Sequence, residues 1–251
     1  MKNAVRLLCC LMFLPFCLIG QAKDTGFIKN TWHDYEGKIG KSEIQMSLFF
    51  FENGDIKGNY VYKKYDKKIL VVGTYRNNEV YLTELMNGNP NGYFISKKWD
   101  SYSSNYCEGT WTDSNQGNPI KFTMQSTGYG GQSYDHRYPE VDSDVVLENF
   151  MKHVKESIIK GDKDWIANNI EYPIKAYKRS KIGIADMRIE IKNKEELIKQ
   201  FDLIFIPSFK AKIKSDVASN IWGNNQGYML GNGDIWVNLY DDKIKIAAIN
   251  N

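Results

Sequence analysis

Ile44-Gln45-Met46-Ser47-Leu48-Phe49-Phe50-Phe51-Glu52-Asn53-Gly54-Asp55-Ile56-Lys57-Gly58-Asn59-Tyr60-Val61-Tyr62 reads as two strands and the turn that joins them. Ile44, Met46, Leu48 and Phe50 alternate with Gln45 and Ser47, and the period of two resumes at Ile56, Gly58, Tyr60 and Tyr62. That alternation puts one set of side chains on a buried face and the other on the opposite face. Asn53-Gly54 between the runs is a strong short-range hairpin signal, because both residues tolerate the positive φ of a tight turn.

Working outward, the same texture continues. Further strands are predicted at Ile69–Thr74, Val80–Glu84, Tyr93–Lys97, Tyr106–Trp111 and Ile120–Gln125, spaced as a meander spaces them. Seven or eight short strands with nothing helical between them must pair off or close their edges, so a barrel or a sandwich is expected, and a small antiparallel β-barrel is preferred. The run Gly58-Asn59-Tyr60-Val61-Tyr62, Gly73, and Gly109-Thr110-Trp111 resemble the glycine and aromatic pattern of calycin-like barrels, the group that includes lipocalins and avidins. The resemblance covers about 32–124. The Gly-x-Trp triplet stands near the end of this region, where a lipocalin has it near the start.

The texture changes after about Gln125. Residues 126–143 carry Gly128, Gly130, Gly131 and Pro139 with few aliphatics, which reads as a linker or long loop. Beyond it, Val146, Leu147, Phe150, Met151, Val154, Ile158 and Ile159 mark one face of a helix that Gly161 ends. Asp162 then caps a shorter helix, Tyr172-Pro173 imposes extension, and Met187–Ile191 is a strand. Asn193 with Glu196 opens another helix that stops near Pro207. Gly227–Leu230, Asp234–Tyr240 and Lys243–Ile249 close the chain as strands. This order resembles the NTF2-like (cystatin-like α+β) fold, as do the segments Ile191-Lys192-Asn193-Lys194-Glu195-Glu196-Leu197 and Gly231-Asn232-Gly233-Asp234-Ile235-Trp236. The resemblance implies helices backing a curved antiparallel sheet around a pocket. Because that scaffold hosts both enzymes and binding domains, it transfers no activity. The expected organisation is therefore multi-domain, β plus α+β: 1–22 a signal peptide, 23–125 the barrel, 126–143 the linker and 144–251 the NTF2-like domain.

The N-terminus sets the compartment. Lys2 and Arg6 precede an apolar run from Leu7 to Ile19, too short to span a bilayer, and Gly20 and Ala22 stand where a signal peptidase cuts. The chain is expected to be exported, periplasmic or secreted, beginning near Lys23 and without a transmembrane segment. Three of the four cysteines, Cys9, Cys10 and Cys17, would leave with the leader, so Cys107 alone remains and no internal disulfide can form. The rest holds 31 basic against 30 acidic residues, a balance of +1 that is no nucleic-acid footprint.

Candidate site residues follow from alternation and loop chemistry. In the Asp234–Tyr240 strand, Ile235, Val237 and Leu239 share one face while Trp236, Asn238 and Tyr240 share the other, an aromatic and amide set suited to a sugar, a peptide or a protein. Asp186, Arg188 and Glu190 share a strand face, and two carboxylates flanking an arginine are suited to general acid/base work if the site is dry. Two tracts read as loops rich in Tyr, Trp, Asn and Ser, one containing Tyr93 and the other Trp99 and Tyr102, the palette of adaptable recognition surfaces. His33, His136 and His153 have no metal-ligand spacing, and Tyr129-Gly130-Gly131 lacks the lysine and helix of a phosphate loop, so no metal and no cofactor is expected. The leading expectation is an exported non-enzymatic binding protein for a protein or cell-envelope glycan, an inhibitor or immunity protein being one version. The alternatives are a small hydrolase or isomerase with an acidic pocket in the second domain, using Asp186 and Glu190, and a structural envelope subunit.

Overall fold

The computed structural model describes residues 28–100, 106–115, 117–178 and 187–251. The expected leader and cleavage point, Tyr102 and Asp186 lie outside the described residues. Eight antiparallel strands form a closed barrel: β1 (Thr31–Ile39), β2 (Ser42–Phe50), β3 (Asp55–Tyr62), β4 (Lys68–Arg76), β5 (Glu79–Met86), β6 (Asn89–Asp100), β7 (Tyr106–Asp113) and β8 (Ile120–Gly130). Each strand pairs with the next, and β1 pairs with β8, so the barrel leaves no free sheet edge. The opening hairpin has the expected register, with Met46 opposite Tyr60 and Leu48 opposite Gly58. Asn77-Asn78 and Asn87-Gly88 turn their hairpins with positive φ at both residues, the conformation that matches strand twist.

The barrel interior is filled. Tyr60, Phe94, Trp99, Phe122, Met46 and Leu48 are each at most 1% exposed. Phe94 meets Tyr60 and Phe122 edge-on at 5.4 and 5.5 Å. A carboxylate belongs to this core: Glu84 accepts bonds from Tyr60 Oη (2.6 Å), Trp111 Nε1 (3.0 Å) and Asn91 Nδ2 (2.5 Å). Burial first, and then the Glu84 bond, push the Tyr60 hydroxyl's pKa far up. Cys107 is buried among the same side chains, which pushes its thiol up as well.

The strand ends correct two expectations. Tyr93 and Trp99 do not stand in loops, since β6 begins directly after the Asn87-Gly88 turn and carries both residues, and Tyr106 opens β7; residues 101–105 lie outside the described residues. Trp99 faces inward and donates from Nε1 to Tyr35 Oη at 3.1 Å, whereas Tyr93 stands on the outer face. Polar residues beside these aromatics mimic loop composition; the two lie an even number of positions apart, and the irregularity between Ile95 and Lys98 in the β6–β7 pairing is what puts them on opposite faces. β8 also runs to Gly130 and pairs with the previously unmarked strand β1.

An α+β region follows, with four helices among the described residues: α1 (Asp144–Lys160), α2 (Lys163–Asn168), α3 (Lys194–Ile204) and α4 (Pro207–Ser215). Its strands are β9 (Ile174–Lys178), β10 (Met187–Ile191), β11 (Trp222–Asn224), β12 (Gly227–Leu230), β13 (Ile235–Tyr240) and β14 (Lys243–Ile249). β9 pairs with β10, and β11 to β14 form a meander. Ile170 bridges to Ile246, which sets the β9–β10 hairpin beside β14. The helix signals act as their chemistry dictates. Gly161 ends α1 at φ +78°, Asp162 accepts from Trp165 N at 3.0 Å, and Asn193 accepts from Glu196 N at 3.0 Å. α3 ends at Ile204, just short of Pro207 as expected, and Pro207 itself starts the unmarked helix α4, because proline at a first helical position lacks only an N–H that has no partner there. Val146, expected on the apolar face of α1, is exposed, and the buried stripe is Leu147, Met151, Val154 and Ile158.

The core of this region is aliphatic. Ile235, Val237, Ile246 and Ile249 from the meander pack with Leu147, Met151, Ile158, Leu197 and Phe201 from the helices. No helix among the described residues is long and apolar enough to cross a membrane.

Candidate functional site

The barrel's outer face at β1–β3 is where the second region docks, and the joint is polar. Arg137, in the segment after β8, donates from Nη2 to both carboxylate oxygens of Asp34, at 2.6 and 2.7 Å, and from Nη1 to Asn220 Oδ1 at 3.1 Å. Ser47, fully buried on β2, donates to Asp34 and lies 2.9 Å from Asn220 Oδ1. A charged pair taken out of water survives only when its remaining valences are filled, and here the network fills them. The Arg137 guanidinium also lies over the Trp32 ring at 5.1 Å, and Tyr138 donates to Ile221 O at 2.8 Å.

A second clasp lies further along the seam. Asp66, in the β3–β4 loop, accepts from Ala218 N, Ser219 N, Ser219 Oγ and Lys155 Nζ, all between 2.7 and 3.1 Å. Burial opposes its ionisation, yet Lys155 and those N–H and hydroxyl donors outweigh it and hold the carboxyl below its ordinary pKa.

Between the clasps the two regions part and leave a cleft. One compartment, of about 590 Å³, is lined by Glu36, Lys41, Gln45, Tyr62–Tyr65, Lys212, Lys214–Val217, Gly231 and Asn232. Its neighbour, of about 460 Å³, shares Glu36, Gln45, Val217, Gly231 and Asn232 and adds Asn220, Ile221, Trp222 and Met229. Concavity at a joint between two folded regions is where ligand sites concentrate.

Two carboxyls sit at the cleft's edge, Asp234 buried and Asp216 half-buried. Asp216 Oδ2 and Asp234 Oδ2 flank one point of backbone, Gly231, where an added Cβ would fall 2.5 and 2.7 Å from them. Gly231 has φ +63°, so the turn needs glycine for conformation as well as for space. Asp234 is 3% exposed and its Oδ1 holds Lys212 Nζ at 2.5 Å, while both Oδ2 atoms are buried without a donor. Burial, and then the neighbouring Asp234, push the Asp216 carboxyl up to about 6. The folded state therefore favours protonated Asp216. That contribution to stability is full below an ordinary carboxylate pKa of about 3.9 and is lost as pH rises through about 6. Asp216→Asn, which imitates the protonated form and offers Asp234 a donor, is expected to leave stability unchanged near pH 4 and raise it at pH 7. The gain is about 1 kcal/mol, because the half-buried group feels only part of the full effect. Chemical denaturation at the two pH values measures it, and an equal difference at both would refute the assignment.

The candidates read from alternation are distributed unevenly around this cleft. Trp236 is half-buried on the meander face opposite the aliphatic core, and the pairings Trp222–Met229 and Met229–Trp236 make a cross-strand row that runs from it into the cleft. Asn238 and Tyr240 share that face further along β13, paired with Lys245 and Lys243. Arg188 and Glu190 are exposed and line a separate depression with Lys175 and Tyr177, their cross-strand partners. An exposed carboxylate opposite a lysine is not the dry acid/base setting considered for it. His153 is exposed and stacks on Trp165 at 4.2 Å. No group of three metal-ligating side chains occurs among the described residues.

Sequence reading missed Asp34, Arg137, Asn220, Asp66 and Asp216, which come from four separate stretches of the chain. Gln45, Tyr62 and Asp234 were visible as strand residues but carried no mark of a site. Comparison with family models, with curated proteins and with solved structures finds no match to this chain.

Proposed function

We propose that this chain is an exported, non-enzymatic binding protein, and that its ligand, a protein or cell-envelope glycan, seats in the cleft between barrel and α+β region. The observation that carries the reading is the filled state of both cores. Aromatic side chains occupy the barrel and aliphatic ones the second region, so the joint supplies the concave, polar and aromatic surface. In this reading the barrel is calycin-like and the second region NTF2-like. The succession of two helices, a hairpin, two helices and a four-stranded meander supports the latter, as does the placement of β9 beside β14.

The test is to obstruct the cleft. Asn232, exposed and lining both compartments, tolerates bulk without disturbing either core. Asn232→Trp is expected to keep the melting temperature within about 2 °C. It should lower retention of envelope-derived protein or glycan on the immobilised chain by at least about tenfold, a change of about 1.4 kcal/mol. Undiminished retention would place the binding surface elsewhere.

A further inference from the structure

We propose that the cleft takes an acidic saccharide, its anionic groups held by Lys41, Lys64 and Lys214 and a sugar face laid on Tyr65. This rests on the cleft being the binding site and adds the class of ligand.

The argument starts from charge bookkeeping inside the larger compartment. Its two glutamates are answered by lysines, and its aspartate is turned toward a second carboxyl that holds one. Glu36 accepts from Lys63 at 3.2 Å and from Gln45 at 2.7 Å, Glu43 lies 3.6 Å from Lys38, and Asp216 lies against Asp234, which holds Lys212. Three lysines remain: among the described residues, Lys41, Lys64 and Lys214 have no carboxylate partner. They come from the β1–β2 turn, the β3–β4 loop and α4, so three elements of both regions aim surplus positive charge at one concavity in a chain whose overall charge is small. Such convergence raises the local concentration of an anion and orients it.

Charge alone does not choose among anions. Tyr65 is 68% exposed at the same rim, braced edge-on by Tyr62 at 6.4 Å, with the Lys64 ammonium 5.4 Å from its ring centre. An aromatic face held at a rim stacks on the C–H face of a sugar ring, while the adjoining ammonium meets a carboxylate or phosphate on that ring. The lining also carries the polar side chains of Ser42, Gln45 and Asn232, which suit the hydroxyls of a polyhydroxylated ligand. An acidic saccharide supplies anion, hydroxyl and stacking face together.

The experiment is calorimetric titration of the full mature chain with tetragalacturonate and sialyllactose, each beside its neutral methyl ester. The acids are expected to bind at least tenfold more tightly than the esters. A Lys41→Ala, Lys64→Ala, Lys214→Ala triple variant with an unchanged circular dichroism spectrum should lose that preference, and Tyr65→Ala should weaken acid and ester alike by about fivefold. Equal binding of acid and ester would overturn the anionic class while leaving the cleft as the site. Tetraglutamate binding in place of both sugars would overturn the saccharide in favour of an acidic peptide. Failure of all of these probes to bind would overturn the inference. Asn232→Trp retaining full affinity for the sugar would instead overturn the cleft reading on which the inference rests.

Discussion

Arg137→Met is expected to cost about 4 kcal/mol of folding stability, a large share of what a chain of this size holds. The reason is what the substitution leaves behind. Asp34 stays on β1, its side chain still enclosed, with both oxygens stripped of a bidentate partner 2.6–2.7 Å away. Asn220 and Ser47 lose the cation that organised them. Methionine matches the length of the arginine stem and can retain the apolar contact over Trp32, so the loss reports the charge network more than the packing. Adding Asp34→Asn should return part of the stability, because much of the single-variant cost is an unpaired buried charge. Denaturant midpoints for the two single variants and the double variant form a cycle. A single-variant loss below about 1 kcal/mol would show that the joint does not depend on the pair.

Gly73→Ala is expected to cost about 3 kcal/mol or to prevent folding. Gly73 lies on β4, where a Cβ would fall 1.8 Å from the Tyr81 carbonyl oxygen and 2.8 Å from Leu82 Cα. Both obstructing atoms are backbone of the neighbouring strand, so relief requires opening the β4–β5 ladder rather than turning a side chain. Gly37, Gly58 and Gly109 have the same kind of approach to Thr123 O, Ser47 O and Ile95 O, which is how eight strands coil tightly enough to close. Gly88→Ala is the control. Its φ of +80° strains alanine, but nothing lies within 4 Å, so the cost there is about 1 kcal/mol. Thermal melts of the two variants side by side separate crowding from conformation, and equal losses would contradict the crowding argument.

Legibility followed the range of the interaction concerned. Asn53-Gly54, the alternation from Ile44 to Tyr62, the stop at Gly161 and the cap at Asn193 are all settled within a few residues, and those elements appear where their signals stand. Trp99 went the other way. Its neighbours Asp100 and Ser101 look like loop, while the irregularity between Ile95 and Lys98 in the pairing of β6 with β7, which alternation does not reveal, turns the ring into the barrel. Pro207 was ambiguous for another reason, since proline both ends helices and begins them, and only the burial of Phe209 and Ile213 distinguishes the cases.

The candidate site was the least legible feature. Gln45 and Asp34 stand on the outer faces of strands, where polar residues need no explanation, and Arg137 lies in a glycine-rich stretch with no pattern. Their meaning appears once Asn220 and Asp216 are brought against them from the far end of the chain. Trp236 was singled out for its face, and that face does lead toward the cleft, but by way of Met229 and Trp222, which no periodicity had marked.

By itself the sequence determined most of the local elements and the order of an antiparallel β region, a barrel preferred to a sandwich, followed by an α+β region, because strand alternation, turn conformation and helix capping are energies of neighbours along the chain; β1, α4 and β11 went unmarked. Tertiary structure alone decided that β1 meets β8, that Arg137 holds Asp34, that Asp216 lies against Asp234, and that a cleft opens between the two regions. Those are pairings between residues tens to hundreds of positions apart. Their free energy depends on burial and dielectric, which exist only after the chain has packed.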